Sequence, residues 1–283
     1  MTVCIGAICE DGRTAVVASD RMVTAQYPPI EFEHTRSKIH HLSSYCLVMT
    51  AGDALRPIEI IPKSKITICD QRRSPSIEQI VDIVKHWYQF HRIANAEERI
   101  LKPRTINSQT FYEKGLSIFP RDIFGYLDQE MANFNYGMEL LIAGLDTSYA
   151  HIYHIFNPGM ANCYDTIGFH AIGVGQLHAF QTFIAQRYSV SCNTIDCLNV
   201  VYAAKKASEV APGVGGETDM AMIREGQIIH IPPEMVSALN DIYNQVTQPR
   251  QQEIATASQL LEGLLSKVEA EAEKGEGDAK STG

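Results

Sequence analysis

Nowhere in these 283 residues is there an apolar run long enough to cross a membrane, and the first twenty show no basic segment followed by an apolar stretch and a cleavage site. The sequence predicts a cytoplasmic protein with no membrane partner. A basic excess is missing as well: 24 Lys and Arg against 33 Asp and Glu leave a net charge of −9, which argues against nucleic acid as a partner. The seven cysteines, at 4, 9, 46, 69, 163, 192 and 197, form no Cys-x-x-Cys pair and are odd in number. They indicate neither a disulfide framework nor a zinc knuckle, and read as small buried hydrophobes. Among ten histidines, His151 with His154 and the adjacent His40-His41 invite a metal reading. In a strand, however, neighbours and residues three apart face opposite sides, so neither pair converges on one ion and no metal is predicted. Internal repeats and phosphate-cradling glycine loops are also missing.

What the chain does have is apolar material, 45% of its residues, enough for one large domain with a full two-sheet core. Runs of β-branched and small residues predict strands at 2 to 9, 14 to 21, 39 to 42 and 45 to 51, the first two joined through Asp11-Gly12, a turn that tolerates positive φ. A loop holding Pro28-Pro29 follows the second. Ile77, Ile80, Val81, Val84, Trp87 and Tyr88 repeat at helical spacing and predict a helix from about 76 to 93 that packs on a sheet. Residues 94 to 120 have no clean periodicity and read as an insertion. Beyond it come a helix at 121 to 134, strands over 139 to 144 and 151 to 155, helices around 175 to 188 and 194 to 209, and strands at 219 to 223 and 228 to 231. Strands, two helices, strands, two helices, strands is the order of an α+β protein built as a four-layer αββα sandwich. This domain is expected over 1 to 232. After Pro232-Pro233, 233 to 268 reads as a helical extension with Leu260, Leu261, Leu264 and Leu265 on a face, and 269 to 283 as a disordered acidic tail.

The chemistry starts at Thr2. A threonine hydroxyl is a poor nucleophile until a base takes its proton, and a free N-terminal amine, with an ordinary pKa near 8, is such a base. Loss of Met1 would put both groups on one residue. The first hairpin carries Asp20 back beside Thr2. Lys38, opening one strand, brings an ammonium toward the threonine, and Gly52, closing the next, offers a bare backbone N–H where an oxyanion would form. Each has a plainer account: Asp20 and Lys38 as a strand-edge ion pair, Gly52 as a turn glycine.

Thr2, the Ser19-Asp20-Arg21 triplet, Lys38 in Ser-Lys-Ile-His, and Ala51-Gly52-Asp53 together resemble the opening of proteasome β-type subunits and their bacterial relatives in the N-terminal nucleophile (Ntn) hydrolase family. Two later blocks add to the likeness: Asp165 to Gln176, with the turn Gly173-Val174-Gly175, and Pro212 to Met220, with Gly215-Gly216. It spans about residues 2 to 232, strongest at the start and thin between 55 and 135. The resemblance implies Thr2 as nucleophile and its own amine as base, Asp20 and Lys38 as tuning charges, and the Gly52 N–H as oxyanion donor. It further implies a threonine protease of the proteasome-like kind that cleaves peptide or amide bonds through an acyl-threonine, without a cofactor, in a homo-oligomeric ring. Neither the ring size nor an unfoldase partner is encoded in these motifs.

Two departures stand out. Val174 and Val214 occupy turn positions where the family pattern has serines, and the acidic residue expected before the second turn is not in register, since Glu209 comes too early and Ala211-Pro212 takes its place. Losing hydroxyls that hydrogen-bond toward the threonine amine slows proton relay or changes what a pocket accepts. Two other readings therefore stand beside the protease: a catalytically silent subunit with a scaffold or assembly role, and a small-molecule amidase or acylase on the same fold.

Overall fold

The computed structural model describes residues 2–25, 30–147, 149–247 and six positions between 258 and 266. They fall into two compact units, Met1–Val236 and Ser237–Gly283. In the second, the backbone is helical over 237–247 and at 258–259, 261–262 and 265–266. The acidic tail from 269 onward lies outside the described residues.

The first unit is mixed α/β with antiparallel sheets. One sheet is built around the expected opening hairpin, β1 (Val3–Cys9) and β2 (Thr14–Asp20), every residue of which is buried. The turn between them takes positive φ at Glu10, Asp11 and Gly12. A Cβ on Gly12 would lie 2.0 Å from the Tyr149 ring, so the glycine is needed for space as well as for φ. The opposite end of the chain completes this sheet: β10 (Phe169–Gly173) flanks β1, while β11 (Thr218–Arg224) pairs with β2 and with β12 (Gln227–His230). The second sheet runs in sequence order through β5 (Ile39–Ser43), β6 (Cys46–Gly52), β7 (Met138–Leu145), β8 (Ala150–Phe156) and β9 (Met160–Cys163). Cys4, Ile8 and Val17 of the first sheet share one hydrophobic cluster with Leu47, Met49, Leu141 and Ile152 of the second.

Helices cover the remaining faces. Val48, Leu140 and Ile142 look away from the first sheet and pack on Ile60 and Ile68 of α1 (Pro57–Cys69) and on Ile77, Ile80 and Val84 of α2 (Ile77–Ala96). The predicted stripe of α2 is that buried face, and a reciprocal Ser76–Gln79 capping box starts the helix. On the first sheet, α5 (Gln176–Ala185) and α6 (Thr194–Ser208) contact β1, with α6 also against β2 and α5 against β10.

Four features depart from the sequence reading. Helix α1 was not expected, because its Ile-rich segment with an internal Pro62 lowers helix propensity. Its buried Ile60, Ile61, Ser64 and Ile68 nevertheless repeat along one side. The segment after Asp20 carries two short paired strands that were not expected, β3 (Met22–Ala25) and β4 (Ile30–Glu33), while the expected loop's Pro28-Pro29 lies outside the described residues. Strand β9 had no sequence signal at four residues. The insertion is structured: α2 runs on through turns to Arg104, and α3 (Ser108–Ile118) precedes α4 (Arg121–Asn133). Ile100, Leu101, Phe111, Leu127 and Met131 form a core of their own there, with Phe111 stacked on Phe124 at 4.6 Å. Four helices therefore separate the two groups of strands, where two were expected.

Candidate active site

The four residues singled out in the sequence come from four strand ends, two in each sheet. Thr2 immediately precedes β1, Asp20 ends β2, Lys38 immediately precedes β5 and Gly52 ends β6. Three of them interlock. The Thr2 hydroxyl donates to Asp20 Oδ1, and Lys38 Nζ donates to Thr2 Oγ1 and, at 2.9 Å, to Asp20 Oδ1. Thr2 and Asp20 are buried, and the Lys38 side chain is 15% exposed. Register explains the approach, since β1 and β2 pair with Cys4 opposite Ser19, which sets the next residues out, Val3 and Asp20, side by side.

Asp20 is the hub. Beyond Thr2 and Lys38, its Oδ1 accepts from Val3 N at 3.0 Å, and its Oδ2 accepts from Met22 N at 3.0 Å and Gly215 N at 3.1 Å. A buried carboxylate is tolerable because five donors surround it, one of them a cation. The charge then holds the ammonium against the threonine oxygen. An ammonium there disfavours protonation of any adjacent amine and stabilises negative charge developing on Oγ1.

Gly52 lines the same cavity as Thr2 and Lys38, a cleft of about 740 Å³. Its φ is +106°, and a Cβ would lie 2.2 Å from the Gly137 carbonyl oxygen, so no other residue fits without moving β7. Cys4, two residues from Thr2, is no rival nucleophile. Burial pushes its thiol pKa up to about 12, and it donates weakly to the Thr50 carbonyl.

Compared with known proteins, the chain matches no protein-family model and no curated protein.

Both glycine turns noted in the sequence border it. Gly173 lies opposite Val3 with φ +88°, where a Cβ would meet the Thr2 carbonyl oxygen at 2.3 Å. Val174 in this turn is 47% exposed. Val214 is different: it is 8% exposed, in the turn whose next residue, Gly215, donates to Asp20.

Two charged residues that sequence reading passed over support this arrangement. Lys205, on α6, is fully buried and donates to the carbonyls of Gly215 at 2.9 Å and Gly216 at 2.6 Å, and to Glu209 Oε1 at 2.6 Å. Burial lowers its pKa, with Glu209 opposing the shift. It clamps the turn that serves Asp20, and Glu209 is the clamp's counter-charge rather than a displaced site acid. Glu139, on β7, reaches Gly173 N at 3.4 Å and lies 3.7 Å from His154, whose other ring nitrogen meets His170 at 3.0 Å. The nearby His154 ring lowers the Glu139 pKa against the opposing effect of burial, so a carboxylate stands one residue pair from the Thr2 backbone. Each is a charge at the border of an apolar run, Lys205 after Val200-Val201-Tyr202-Ala203-Ala204 and Glu139 before Leu140-Leu141-Ile142, and that contrast was the available signal. The two histidine pairs part company: His151 binds Asp165 at 2.6 Å while His154 meets His170, and His41 meets His230 at 2.7 Å while His40 lines the cleft.

Proposed function

We propose that this protein is a threonine hydrolase of the proteasome-like Ntn type that cleaves peptide or amide bonds. The observation that carries the reading is the contact of one threonine hydroxyl with both a buried carboxylate and a lysine ammonium at the wall of a cleft large enough for several peptide residues. Removal of Met1 frees the Thr2 amine, which accepts the hydroxyl proton as Oγ1 attacks the substrate carbonyl carbon. The oxyanion takes a hydrogen bond from the Gly52 N–H. The protonated amine then gives its proton to the departing amine, leaving an ester on Thr2. Water, deprotonated by the same amine, hydrolyses that ester and restores the site.

The four-layer sandwich is part of the same proposal. Its support is the shared cluster between the sheets, with α1 and α2 on one outer face and α5 and α6 on the other. A homo-oligomeric ring and a peptide substrate follow from the family resemblance. The silent-subunit reading draws on Val174 and Val214, which withhold two hydroxyls from the site.

Intact mass spectrometry and labelling test the enzyme. The folded protein is expected to begin at Thr2 and to take up one equivalent of a peptide-derived, threonine-directed electrophile. Thr2→Ser keeps some labelling, and Thr2→Ala abolishes it with an unchanged circular dichroism spectrum. Met1 fully retained on folded, assembled protein would overturn the catalytic reading.

A further inference from the structure

The cleft beside Thr2 has a charge imbalance that the proposed chemistry does not use. Among the described residues, five of its lining side chains are basic, His34, Arg36, Lys38, His40 and Lys65, and one, Asp53, is acidic. Lys38 is committed to Asp20. Asp53 is committed in turn, its Oδ2 lying 3.4 Å from Arg56 and its Oδ1 accepting from Leu55 N at 2.9 Å. Arg36 and Lys65 have no ion-pair partner among the described residues, so the cleft holds two uncompensated cations.

Their placement gives the cleft a direction. Ile58, Ile61, Pro62 and Lys65 fall at helical positions i, i+3, i+4 and i+7, one face of α1, and all four line the cleft. Lys65 is therefore the charged end of an apolar wall. His40 lies two residues beyond Lys38 along the opposite wall, on the same side of the chain, a strand rise of about 7 Å from the reactive centre. The Lys65 charge is close enough to His40 to oppose its protonation alongside burial. The cleft that Thr2 lines thus carries an aliphatic wall, Ile58, Ile61 and Pro62, with a positive end at Lys65 and His40.

We propose that the cleft selects a carboxylate on the acyl side of the bond to be cleaved, in a peptide an Asp or Glu side chain at the residue whose carbonyl is attacked, held by Lys65 with Arg36 at the entrance. The aliphatic wall packs the methylene stem, and the cation meets the charge in a partly desolvated pocket where such pairs are strongest. The assignment rests on the threonine-hydrolase reading.

The test is a set of matched peptide electrophiles differing only at the residue next to the warhead, Glu, Gln, Leu or Lys, with Thr2 labelling rates read by intact mass. A parallel fluorescence-polarisation titration of the Thr2→Ala protein with the corresponding Glu and Gln peptide amides reads binding without chemistry. Glu is expected to exceed Gln by about tenfold or more in both measurements, the preference shrinking with added salt. Lys65→Glu, checked for folding by circular dichroism, is expected to invert the ranking in favour of Lys. Gln equal to or better than Glu in the binding titration overturns the proposal, as does a ranking untouched by Lys65→Glu. If no probe labels the protein while Glu still outbinds Gln, the carboxylate pocket stands and the hydrolase reading fails.

Discussion

Replacing Asp20 by Asn is the sharpest probe of how the site is built, because it keeps the shape and removes only the charge and one acceptor. The carboxylate has five donors on two oxygens: Thr2, Val3 and Lys38 on one, Met22 and Gly215 on the other. An amide has one oxygen. Turned one way, its NH₂ faces the Met22 and Gly215 N–H groups; turned the other way, it faces Val3 N and the Lys38 ammonium. In either pose Lys38, 15% exposed, loses its counter-charge. A buried donor left unsatisfied costs about 1–3 kcal/mol, and breaking a buried ion pair from one side about 3–5 kcal/mol. These effects share one network and do not add, so the expected loss is about 3–5 kcal/mol, or roughly 6–20 °C in Tm for a domain of this size. Urea unfolding followed by circular dichroism reads it as a lower midpoint at constant m value. Lys38→Met should cost less, since it leaves Asp20 with four donors. A change of under about 1 kcal/mol in Asp20→Asn would reduce the cluster to an ordinary surface pair and refute this account.

Lys205→Met should lower stability by about 2–5 kcal/mol, because two turn carbonyls lose their donor in the interior and Glu209 keeps only Lys206, and should also slow Thr2 labelling as Gly215 drifts from Asp20. A labelling rate that stays unchanged would separate the turn from the site. His170 is held at a pKa of about 3 by burial and by the facing His154, against 6.5 unfolded. Between those values the unfolded chain binds the extra proton, so stability falls as pH is lowered, by up to about 1.4 kcal/mol per unit for this group. His170→Phe should flatten the slope between pH 6.5 and 5, and an identical slope in both proteins would discount the effect. Val174→Ser, at a half-exposed turn position, should leave stability within about 0.5 kcal/mol and raise the labelling rate, whereas Val214→Ser, buried, should cost about 1–3 kcal/mol if its hydroxyl finds no acceptor. Loss of stability without faster labelling in Val174→Ser would favour the silent subunit.

What could be read from the sequence was whatever local pattern controls. Asp11-Gly12 marked the first hairpin because its turn requires positive φ, and the α2 stripe marked a helix because its period is 3.6. Thr2, Asp20 and Lys38, taken together, were legible through order and residue type, since a hydroxyl, a carboxylate and an ammonium at strand ends is a chemical pattern as well as a spatial one. Helix α1 was hidden because isoleucines and an internal proline speak against a helix locally, while the sheet beneath rewards burying Ile60, Ile61 and Ile68. The insertion was opaque because its core joins residues from both sides of a helix-to-helix turn, such as Leu101 with Met131, and no single window shows that periodicity. Lys205 and Glu139 escaped for a related reason. Their partners, Gly215 and Gly173, lie 10 and 34 residues away in the chain.

Asp20 serves fold and site at once, and this limits what its variants can say about catalysis. The carboxylate that holds Lys38 against Thr2 also ties the start of β1, the chain leaving β2 and the 213–216 turn into one corner of the sheet. A rate lost with Asp20 is therefore inseparable from a corner lost with it. Thr2 is the opposite case: its hydroxyl bonds only to the Asp20 and Lys38 side chains among the described residues, and the Val3, Met22 and Gly215 N–H groups are satisfied by Asp20 without it. Catalytic and structural contributions part at Thr2 and Lys38, two side chains whose polar atoms, among the described residues, meet each other and the hub. Kinetics on those two, read beside stability on Asp20, would show whether the corner was arranged around a reaction or only around a buried charge.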